Sequence, residues 1–276
     1  MSSNHTSDSQ KRVENFYDSD PAREWDRQMR HRIEFAVSLR KILAHLPKPP
    51  ARILDVGGGP GRYAIALSKL GYSVTLLDLS QENLAFARMQ AEKEDERLAD
   101  VVHGNALDLS RFADDSFDGV LLMGPLYHLL DLELRTRCAA EVLRILRHGG
   151  IVCASFITRF AAIRDASVHY PEWAWEEHAE VESFLRTGAI EIPPGKGFTD
   201  HYAAHPTEVM PFMEHIGFST RALVGVQCLV AGHEQAINEL HGEQFERWVE
   251  LNYRLGHDPS LHGAADHLLY VGQKSE

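Results

Sequence analysis

The sequence predicts an α/β fold in which a parallel sheet is covered by helices on both faces. Between residues 47 and 155, short apolar segments alternate with segments of helical periodicity. Each apolar segment is a nearly continuous run, which is typical of a strand buried on both faces. The chain has 276 residues and is 44% hydrophobic. This is enough for the packed core of one large domain, or of a domain that carries an insertion.

Five strands and the helices between them are predicted in this region. Gly71 ends the first of these helices, and Ser80 is the candidate N-cap of the second. Asp131 is the candidate N-cap of a third helix, which spans about 132–147. The predicted strands are, in order, ARILDV, YSVTLLDL, DVVHGNA, FDGVLLMG and GGIVCASF.

The segment before the sheet, residues 1–46, is predicted to be a tail followed by a helical lid. The first dozen residues are polar, and we expect them to fray. Nearer the sheet, apolar residues at helical spacing share one face, and PKPP at 47–50 ends the helix. The residues on that face are Leu39, Ile42, Leu43 and Leu46.

The alternation of strands and helices is interrupted after the fifth strand. The interrupting segment is rich in aromatic side chains, contains IPPGKG and shows no regular strand pattern, so it predicts an insertion that caps a site. The alternation then returns with a helix that ends at Gly217, a strand STRALVGVQCLV, a helical stretch over about 234–255 and a last strand DHLLYVGQK. The predicted divisions are 1–46 for the tail and lid, 47–155 and 206–276 for the core, and 156–205 for the insertion.

Composition and charge exclude several classes of function. The net charge of −12 provides no basic field that would attract nucleic acid, so a small-molecule partner is favoured. The N-terminus lacks an apolar targeting segment, and no apolar run approaches about 18 residues, so we expect a cytoplasmic protein without a membrane span. The three cysteines are too few and too scattered for a disulfide framework or a metal site. The composition does not indicate an oligomeric state.

A glycine-rich loop follows the first predicted strand. The segment ILDVGGGPGRY, residues 53–63, places four glycines where the strand turns into its helix. In an open α/β sheet, ligands bind at this carboxyl end of the strands. Glycine has no Cβ atom, so it tolerates positive φ and lets a ligand lie against the backbone. Because a plain tight turn needs only one or two glycines, the loop indicates a ligand site.

Two classes of cofactor use such a loop. A dinucleotide requires spaced small residues, which Gly59, Gly61 and Ala64 supply. It also requires an acidic residue for the ribose, and Asp78 lies at a suitable distance. However, Asp55 at the end of the first strand would repel a pyrophosphate and attract a cation such as S-adenosylmethionine. The residues therefore favour S-adenosylmethionine, and a nicotinamide dinucleotide is the alternative.

Five segments of the core form a series of motifs: ILDVGGGPGRYAIAL, VTLLDLS, HGNALDL, FDGVLLMGPLYHL and EVLRILRHGGIV. This series resembles that of the class I S-adenosylmethionine-dependent methyltransferases, of the bacterial small-molecule type. The match covers about 13–155 and resumes over about 206–273. The resemblance implies a Rossmann-like, doubly wound sheet of seven strands, mostly parallel with the last strand antiparallel. It also implies S-adenosyl-L-methionine as the cofactor.

The resemblance assigns contacts to this cofactor. Asp78 would accept hydrogen bonds from both ribose hydroxyls. Asn105 stands where the family often has aspartate, and its amide oxygen would accept from the adenine amine. Tyr17, in the lid, would contact the sulfonium. The remaining contacts are Gly57, Gly59 and Gly61 along the methionine part, Asp55 and the backbone carbonyl of Met123 on the ammonium side, and Leu79 and Ala106 beside the adenine.

The segment MGPLYHL after the fourth strand would face the transferred methyl group. It has Gly124 and Leu126 where amino-methyltransferases of nucleic acids have an Asn or Asp and a proline, which argues against a nucleic-acid substrate. Tyr127 and His128 are the candidate catalytic residues, because a histidine can remove a proton near neutral pH. A purely structural role for His128 is the alternative. No histidine spacing matches a metal motif, and no metal is predicted.

Aromatic and polar residues of the lid and the insertion are candidates for the substrate pocket. They are Trp25 in the lid, and Trp173, Trp175, Asp200 and Tyr202 in the insertion. Packing within the lid is the alternative for each of them. Arg27, Arg30 and Arg32 are candidates for binding the cofactor carboxylate, and the sequence does not select among them.

The predicted function is transfer of a methyl group from S-adenosylmethionine to an oxygen, nitrogen or sulfur atom of a small molecule. Two alternatives remain open at this point. One is an NAD(P)-dependent oxidoreductase, which the spacing of the glycines and the acidic residue also fits. The other is a regulator that binds S-adenosylmethionine without catalysis, because the sequence does not define an acceptor.

Overall fold

A seven-stranded sheet forms the centre of the protein, whose computed structural model describes residues 2–192 and 198–275. The strands are β1 (Arg52–Val56), β2 (Ser73–Asp78), β3 (Asp100–His103), β4 (Phe117–Leu122), β5 (Leu146–Ile157), β8 (Phe218–Gly225) and β9 (His267–Lys274). Their order in the sheet is β3-β2-β1-β4-β5-β9-β8. Strand β9 runs antiparallel to both of its neighbours, and all pairings among the first five strands are parallel. The predicted mostly parallel sheet with an antiparallel last strand is confirmed.

Helices cover both faces of this sheet. Successive residues of β1 face opposite sides, so Ile53 packs into one apolar cluster and Leu54 into the other. This explains why the predicted strands are apolar at every position. The helices of the core are α4 (Arg62–Lys69), α5 (Gln81–Lys93), α6 (Pro125–His128), α7 (Leu132–Ile145), α11 (Pro206–Ile216), α12 (Gln235–Asn238) and α13 (Gly242–Leu255).

The helix boundaries follow the local signals in the sequence. Ser80 Oγ accepts a hydrogen bond from the backbone N–H of Asn83 at 3.0 Å, and Asp131 caps α7 in the same way. Gly217 ends α11 with a φ of 119°, which favours glycine. The predicted N-caps and this helix end are therefore confirmed. The prediction of a single helical stretch over about 234–255 was wrong, because α12 ends at Asn238 and α13 begins only at Gly242, whose φ is 54°.

The N-terminal segment differs from the prediction. The first dozen residues are not a frayed tail, because α1 extends from Ser2 to Ser19. Tertiary contacts hold this polar helix: Val13 is buried, and Ser80 Oγ donates to Asp18 Oδ1 at 2.5 Å. These contacts involve residues distant in sequence, which a local pattern cannot reveal. The two helices that follow are α2 (Pro21–Arg30) and α3 (Arg32–Leu43).

The segment between β5 and α11 forms a small layer of its own. It contains α8 (Arg159–His169), α9 (Trp173–Glu176), α10 (His178–Thr187) and a two-stranded sheet of β6 (Ala189–Ile190) and β7 (His201–Tyr202). The buried Arg159 connects this layer to the core, since its guanidinium donates to the Leu185 carbonyl and to Glu208. The division of the chain at 156–205 stays a prediction.

Three further observations bear on the whole chain. Cys138, Cys153 and Cys228 are all buried and form no disulfide. Within the described residues, no helix is long and apolar enough to cross a membrane. Over the same ranges, no three His, Cys, Asp or Glu side chains are grouped so that they could hold a metal ion.

Candidate functional site

A cavity lies at the carboxyl ends of β1, β2 and β4, beneath the helices of the N-terminal segment. Its empty space, counted together with the part that is open to solvent, is about 1190 Å³. Of the residues that the sequence predicts for the cofactor and for catalysis, most line this cavity. They are Tyr17, Gly57, Gly59, Asp78, Leu79, Asn105, Ala106, Met123, Tyr127 and His128.

The glycine loop forms one wall of the cavity, and its glycines have different roles. A Cβ atom on Gly57 would lie 2.6 Å from Pro125 Cγ, so no side chain fits there. Gly59 has a φ of +56°, and the nearest atom to a Cβ built on it is Asn83 Nδ2 at 3.8 Å. Gly59 therefore faces open space that a side chain would fill. Gly61 does not line the cavity, because it lies against Ala87. A Cβ atom built on Gly61 would be 3.0 Å from the Cβ of Ala87.

Asp78 is held in place by the loops on either side of it. Its Oδ2 accepts from the backbone N–H of Gly59 and its Oδ1 from that of Ser80, both at 2.8 Å. An ionised carboxylate has about four lone-pair sites, so these hydrogen bonds leave acceptor capacity for a ligand. Burial raises the pKa of Asp78, and the hydrogen bonds from Ser80 and Gly59 lower it by less. The carboxylate is thus fixed in orientation while its remaining acceptor capacity faces the cavity.

Asp55 lies beneath the loop and does not line the cavity. It is 0% exposed, and neither carboxylate oxygen has a hydrogen bond of normal geometry within the described residues. Burial, and secondarily the charge of Asp78, raise the pKa of Asp55 to about 7. The nearby backbone N–H of Ala64 offsets a smaller part of this rise. The structure therefore places the carboxylate behind the backbone of the loop rather than in contact with a ligand.

The buried Asp55 makes stability depend on pH. Its pKa is about 7 in the folded protein against an ordinary value of 3.8, so the folded state holds the proton more tightly between these values. The tighter proton binding stabilises the folded state. This stabilisation is fully present below the pKa of the unfolded state and is lost as the pH rises through the pKa of the folded state. Between the two pKa values the loss is about 1.4 kcal/mol per pH unit.

We expect the unfolding free energy of Asp55→Asn, taken relative to that of the wild type, to be higher at about pH 8 than at about pH 5. The reason is that the variant has no carboxyl to ionise at this position. Urea unfolding of the ligand-free protein at both pH values measures this difference. Asp26→Asn, which removes a carboxylate from an exposed position on α2, is the matched control. An equal difference at both pH values would show that Asp55 does not titrate in this range.

The two buried aspartates allow a test of which cofactor fits. Asp78 places a carboxylate in the cavity wall beside the glycine loop, and Asp55 lies buried behind that loop. A pyrophosphate would be repelled there, whereas a ligand with a sulfonium and an ammonium group would be attracted. The bare backbone at Gly59 leaves room for such a ligand to approach. The residues therefore fit S-adenosylmethionine.

The far end of the cavity, beyond Asp78, is lined by Leu79, Asn105 and Ala106. Asn105 Oδ1 accepts from the backbone N–H of Leu107 at 2.9 Å, which fixes the turn after β3. One lone pair of the amide oxygen is thus already used within the protein. Because an amide oxygen has two lone pairs, the second one remains for the predicted contact with the adenine amine.

The opposite wall is formed by α2 and α3, and it selects one of the three candidate arginines. Arg27 lines the cavity, and its Nε donates to Glu24 Oε1 at 3.0 Å. Burial alone would lower the pKa of Arg27, but Glu24 and Glu34 raise it, so the guanidinium stays charged. Arg32 points away and donates to the backbone carbonyl of Leu240. Arg30 is exposed and does not line the cavity.

Near the end of β4, three side chains form a continuous hydrogen-bonded chain. Tyr17 Oη lies 2.9 Å from His128 Nε2, and Thr199 Oγ1 lies 3.0 Å from His128 Nδ1. Burial, and then the neighbouring His201, lower the pKa of His128 to about 3. The ring is therefore neutral near pH 7. Tyr127 is also buried beside it, which raises the pKa of its hydroxyl.

The predicted substrate residues lie outside the cavity lining. Trp25 packs against Phe86 with ring centroids 6.0 Å apart, and Trp173 Nε1 donates to Glu180 within the insertion at 2.9 Å. Trp175 is 68% exposed. Tyr202 Oη donates to Glu208 at 2.9 Å, and the buried Asp200 accepts from Arg12 Nε at 2.8 Å. Apart from the exposed Trp175, each of these residues therefore has a packing or pairing partner within the protein.

Several lining residues carry no signal in the sequence that marks them as part of a site. They are Gln10 and Val13 on α1, Glu24 on α2 and Glu34 on α3. Each lies on a helix that has an ordinary amphipathic or polar pattern, so no local motif distinguishes it. Thr199 was not predicted either, although its place beside Asp200 in the aromatic insertion is a weak signal.

Part of the chain is similar to proteins of a known family. A family model described as a methyltransferase domain matches residues 54–154. The ubiquinone biosynthesis O-methyltransferase of Xanthomonas oryzae pv. oryzae is 30% identical over 176 residues, covering 58% of this chain and 71% of that protein. The same-named protein of Methylocella silvestris is 34% identical over 126 residues, covering 44% of this chain and 45% of that protein.

Solved structures show the same fold. A SAM-dependent methyltransferase from Methanosarcina mazei aligns with a TM-score of 0.59 at 20% identity, covering 85% of this chain and 96% of that one. At this identity the similarity concerns the fold alone.

Proposed function

Because the chain belongs to the class I S-adenosylmethionine-dependent methyltransferases, we propose that it methylates an oxygen, nitrogen or sulfur atom of a small molecule bound in the same cavity. One observation carries this proposal: the cavity continues from the glycine loop to an aromatic region beside Tyr17 and His128. The relatives of 30% and 34% identity are named as O-methyltransferases of ubiquinone biosynthesis. Their name supports a small acceptor and makes oxygen the first atom to test.

The residues that would hold the cofactor are those around Asp78. When bound, S-adenosylmethionine supplies a methyl group that is activated by the positive charge on sulfur. Asp78 would accept from the ribose hydroxyls through its remaining lone pairs, and Leu79 and Ala106 would flank the adenine. The backbone of Gly57 and Gly59 and the carbonyl of Met123 would lie along the methionine part, and Arg27 would bind its carboxylate.

The protein's main contribution to the reaction is then alignment and exclusion of water. Holding two reactants in a productive geometry can supply about 7–11 kcal/mol. The N-terminal helix contributes to this, because α1 covers the cavity with Val13 and Tyr17. A cover of this kind separates the acceptor from bulk water.

We propose that Tyr17 and His128 take up the proton released by the acceptor. As an oxygen or sulfur acceptor forms its new bond it becomes positively charged, so its proton becomes strongly acidic. The Tyr17 oxygen would take this proton while its own passes to His128 Nε2, which lies 2.9 Å away. A base as weak as the buried His128 is adequate for so acidic a proton. Tyr127 would form the adjacent wall.

An acceptor screen tests the proposed function. Purified protein is mixed with S-adenosylmethionine and with phenols, amines or thiols, and release of S-adenosylhomocysteine is measured. We expect turnover with one of these classes. With a phenol or a thiol as that acceptor, Tyr17→Phe should lower turnover by about 10²- to 10⁴-fold, the usual contribution of proton transfer. Tyr170→Phe, at a tyrosine that is 52% exposed, is the matched control.

Cofactor binding without turnover on any acceptor would contradict the proposed function and favour a regulator that only binds. Unchanged turnover in Tyr17→Phe would instead leave methyl transfer in place and remove the proposed proton route.

A further inference from the structure

We propose that Thr199 is a positioning residue that holds the His128 ring as the tautomer with its proton on Nδ1, so that Nε2 accepts from the Tyr17 hydroxyl. The inference rests on the proposed function, since it concerns the proton route in the same site. Thr199 lies in the insertion and belongs to no predicted motif. It is 5% exposed, so its hydrogen bonds are made within the protein.

The direction of the hydrogen bonds follows from counting hydrogens. A threonine hydroxyl has one hydrogen to donate and can also accept. Thr199 Oγ1 donates to the backbone carbonyl of Asp200 at 3.1 Å. Because this uses its hydrogen, the contact of 3.0 Å with His128 must be donated by the ring Nδ1. A neutral imidazole carries one N–H, so Nε2 has a lone pair and accepts from Tyr17.

The groups around the ring are consistent with this direction. The backbone carbonyl of Asp200 also faces His128 and favours a proton there, as the Asp200 carboxylate does to a smaller extent, whereas His201 and Arg27 disfavour a positive charge. His201 donates its own Nδ1 hydrogen to the Thr199 carbonyl at 2.9 Å, so it does not compete for the Thr199 hydroxyl. The rings of Tyr17, Tyr127 and Phe198 surround His128, with centroids 5.4, 4.7 and 5.5 Å away.

A pairing between α1 and the insertion fixes the distance between the two partners of His128. The Asp200 carboxylate accepts from Arg12 Nε at 2.8 Å and from Ser9 Oγ at 3.0 Å. Arg12 and Tyr17 lie on the same helix, and Asp200 directly follows Thr199. The carboxylate of Asp200 is therefore used to join the two covering elements, and a neutral hydroxyl is left to orient the ring.

The choice of a hydroxyl has a chemical consequence. A carboxylate at Nδ1 would stabilise the positively charged ring and raise its basicity, as in catalytic triads. Thr199 orients the ring without adding a negative charge. His128 therefore stays neutral with its lone pair directed at Tyr17, and it receives a proton only when the acceptor becomes strongly acidic.

Nuclear magnetic resonance of ¹⁵N-histidine protein tests the tautomer directly, because the two ring nitrogens differ in chemical shift when only one is protonated. The His128 signals are assigned by their loss in His128→Gln. In the wild type with bound S-adenosylhomocysteine, we expect the proton on Nδ1. Thr199→Val removes the hydroxyl at similar volume and should give a mixture of tautomers. Thr199→Ser keeps the hydroxyl and should retain the wild-type pattern.

Kinetics with an identified phenol or thiol acceptor complete the test. Thr199→Val should lower kcat by about 10- to 100-fold, as when the partner that orients a metal-binding histidine is removed. KM and the affinity for S-adenosylhomocysteine should be unchanged, and Thr199→Ser should restore kcat. A purely structural role would instead change stability without a change of tautomer.

The inference and the proposed function can fail separately. A proton on Nε2 in the wild type, or the same tautomer in Thr199→Val, overturns the inference without any acceptor being needed. A correct tautomer with no turnover on any acceptor overturns the proposed function alone. A change of tautomer without a change of kcat would overturn the part of the inference that links the orientation of His128 to the reaction.

Discussion

Replacing Gly59 by valine should abolish measurable binding of S-adenosylhomocysteine. Within the described residues, a Cβ on Gly59 would have only Asn83 Nδ2 nearby, at 3.8 Å, so the new side chain meets little resistance and extends into the cavity. It would then occupy the space that the ligand needs along the loop backbone. Isothermal titration calorimetry measures the loss.

Backbone strain must be separated from this steric effect. Valine at the φ of +56° of Gly59 is expected to destabilise the fold by about 1–2 kcal/mol. Gly232→Val is the matched control, because Gly232 has a φ of +75° and, apart from its chain neighbours, no atom of the part of the chain that the structure describes lies within 4 Å of a built Cβ. Both variants should lose similar unfolding free energy, and only Gly59→Val should lose binding. Equal affinities in the two variants would show that the ligand does not lie against Gly59.

Replacing Asp78 by alanine should weaken binding of the same ligand by about 10- to 150-fold. This range corresponds to about 1.5–3 kcal/mol for hydrogen bonds to a charged group, at about 1.4 kcal/mol for each factor of ten. The loss has two origins. The ribose hydroxyls would lose their acceptor, and the backbone N–H groups of Gly59 and Ser80 would lose theirs. Isothermal titration calorimetry with the purified variant measures the change.

A second variant separates the charge from the position of Asp78. Glu82→Gln removes one negative charge from an exposed position on α5 and should leave the affinity unchanged. Wild-type affinity in Asp78→Ala would contradict the ribose assignment. A similar loss in both variants would show that the affinity depends on net charge rather than on contact.

The parts of the fold that depend on short-range signals could be predicted from the sequence. Apolar runs define the strands because both faces of the sheet are covered, and Ser80 and Asp131 cap helices within a few residues of their own positions. The end of β2 places Asp78 at the edge where the other parallel strands also end. For this reason the motifs alone were sufficient to group the residues around the predicted cofactor site.

The remaining features depend on contacts between distant parts of the chain. His128 is 111 residues from Tyr17 and 71 residues from Thr199, so no local pattern records their hydrogen bonds. The α1 helix is polar and is held by such contacts, which explains why its sequence predicts a tail. Likewise, the motif spacing cannot show that Gly61 packs against Ala87 while Gly59 faces the cavity.

A crystal structure with S-adenosylhomocysteine tests the central claim most directly. We expect the ligand in the cavity at the carboxyl ends of β1, β2 and β4, with both ribose hydroxyls within about 3 Å of the Asp78 carboxylate and the sulfur on the side of Tyr17 and His128. A ligand bound elsewhere, or one whose ribose does not contact Asp78, would contradict the account.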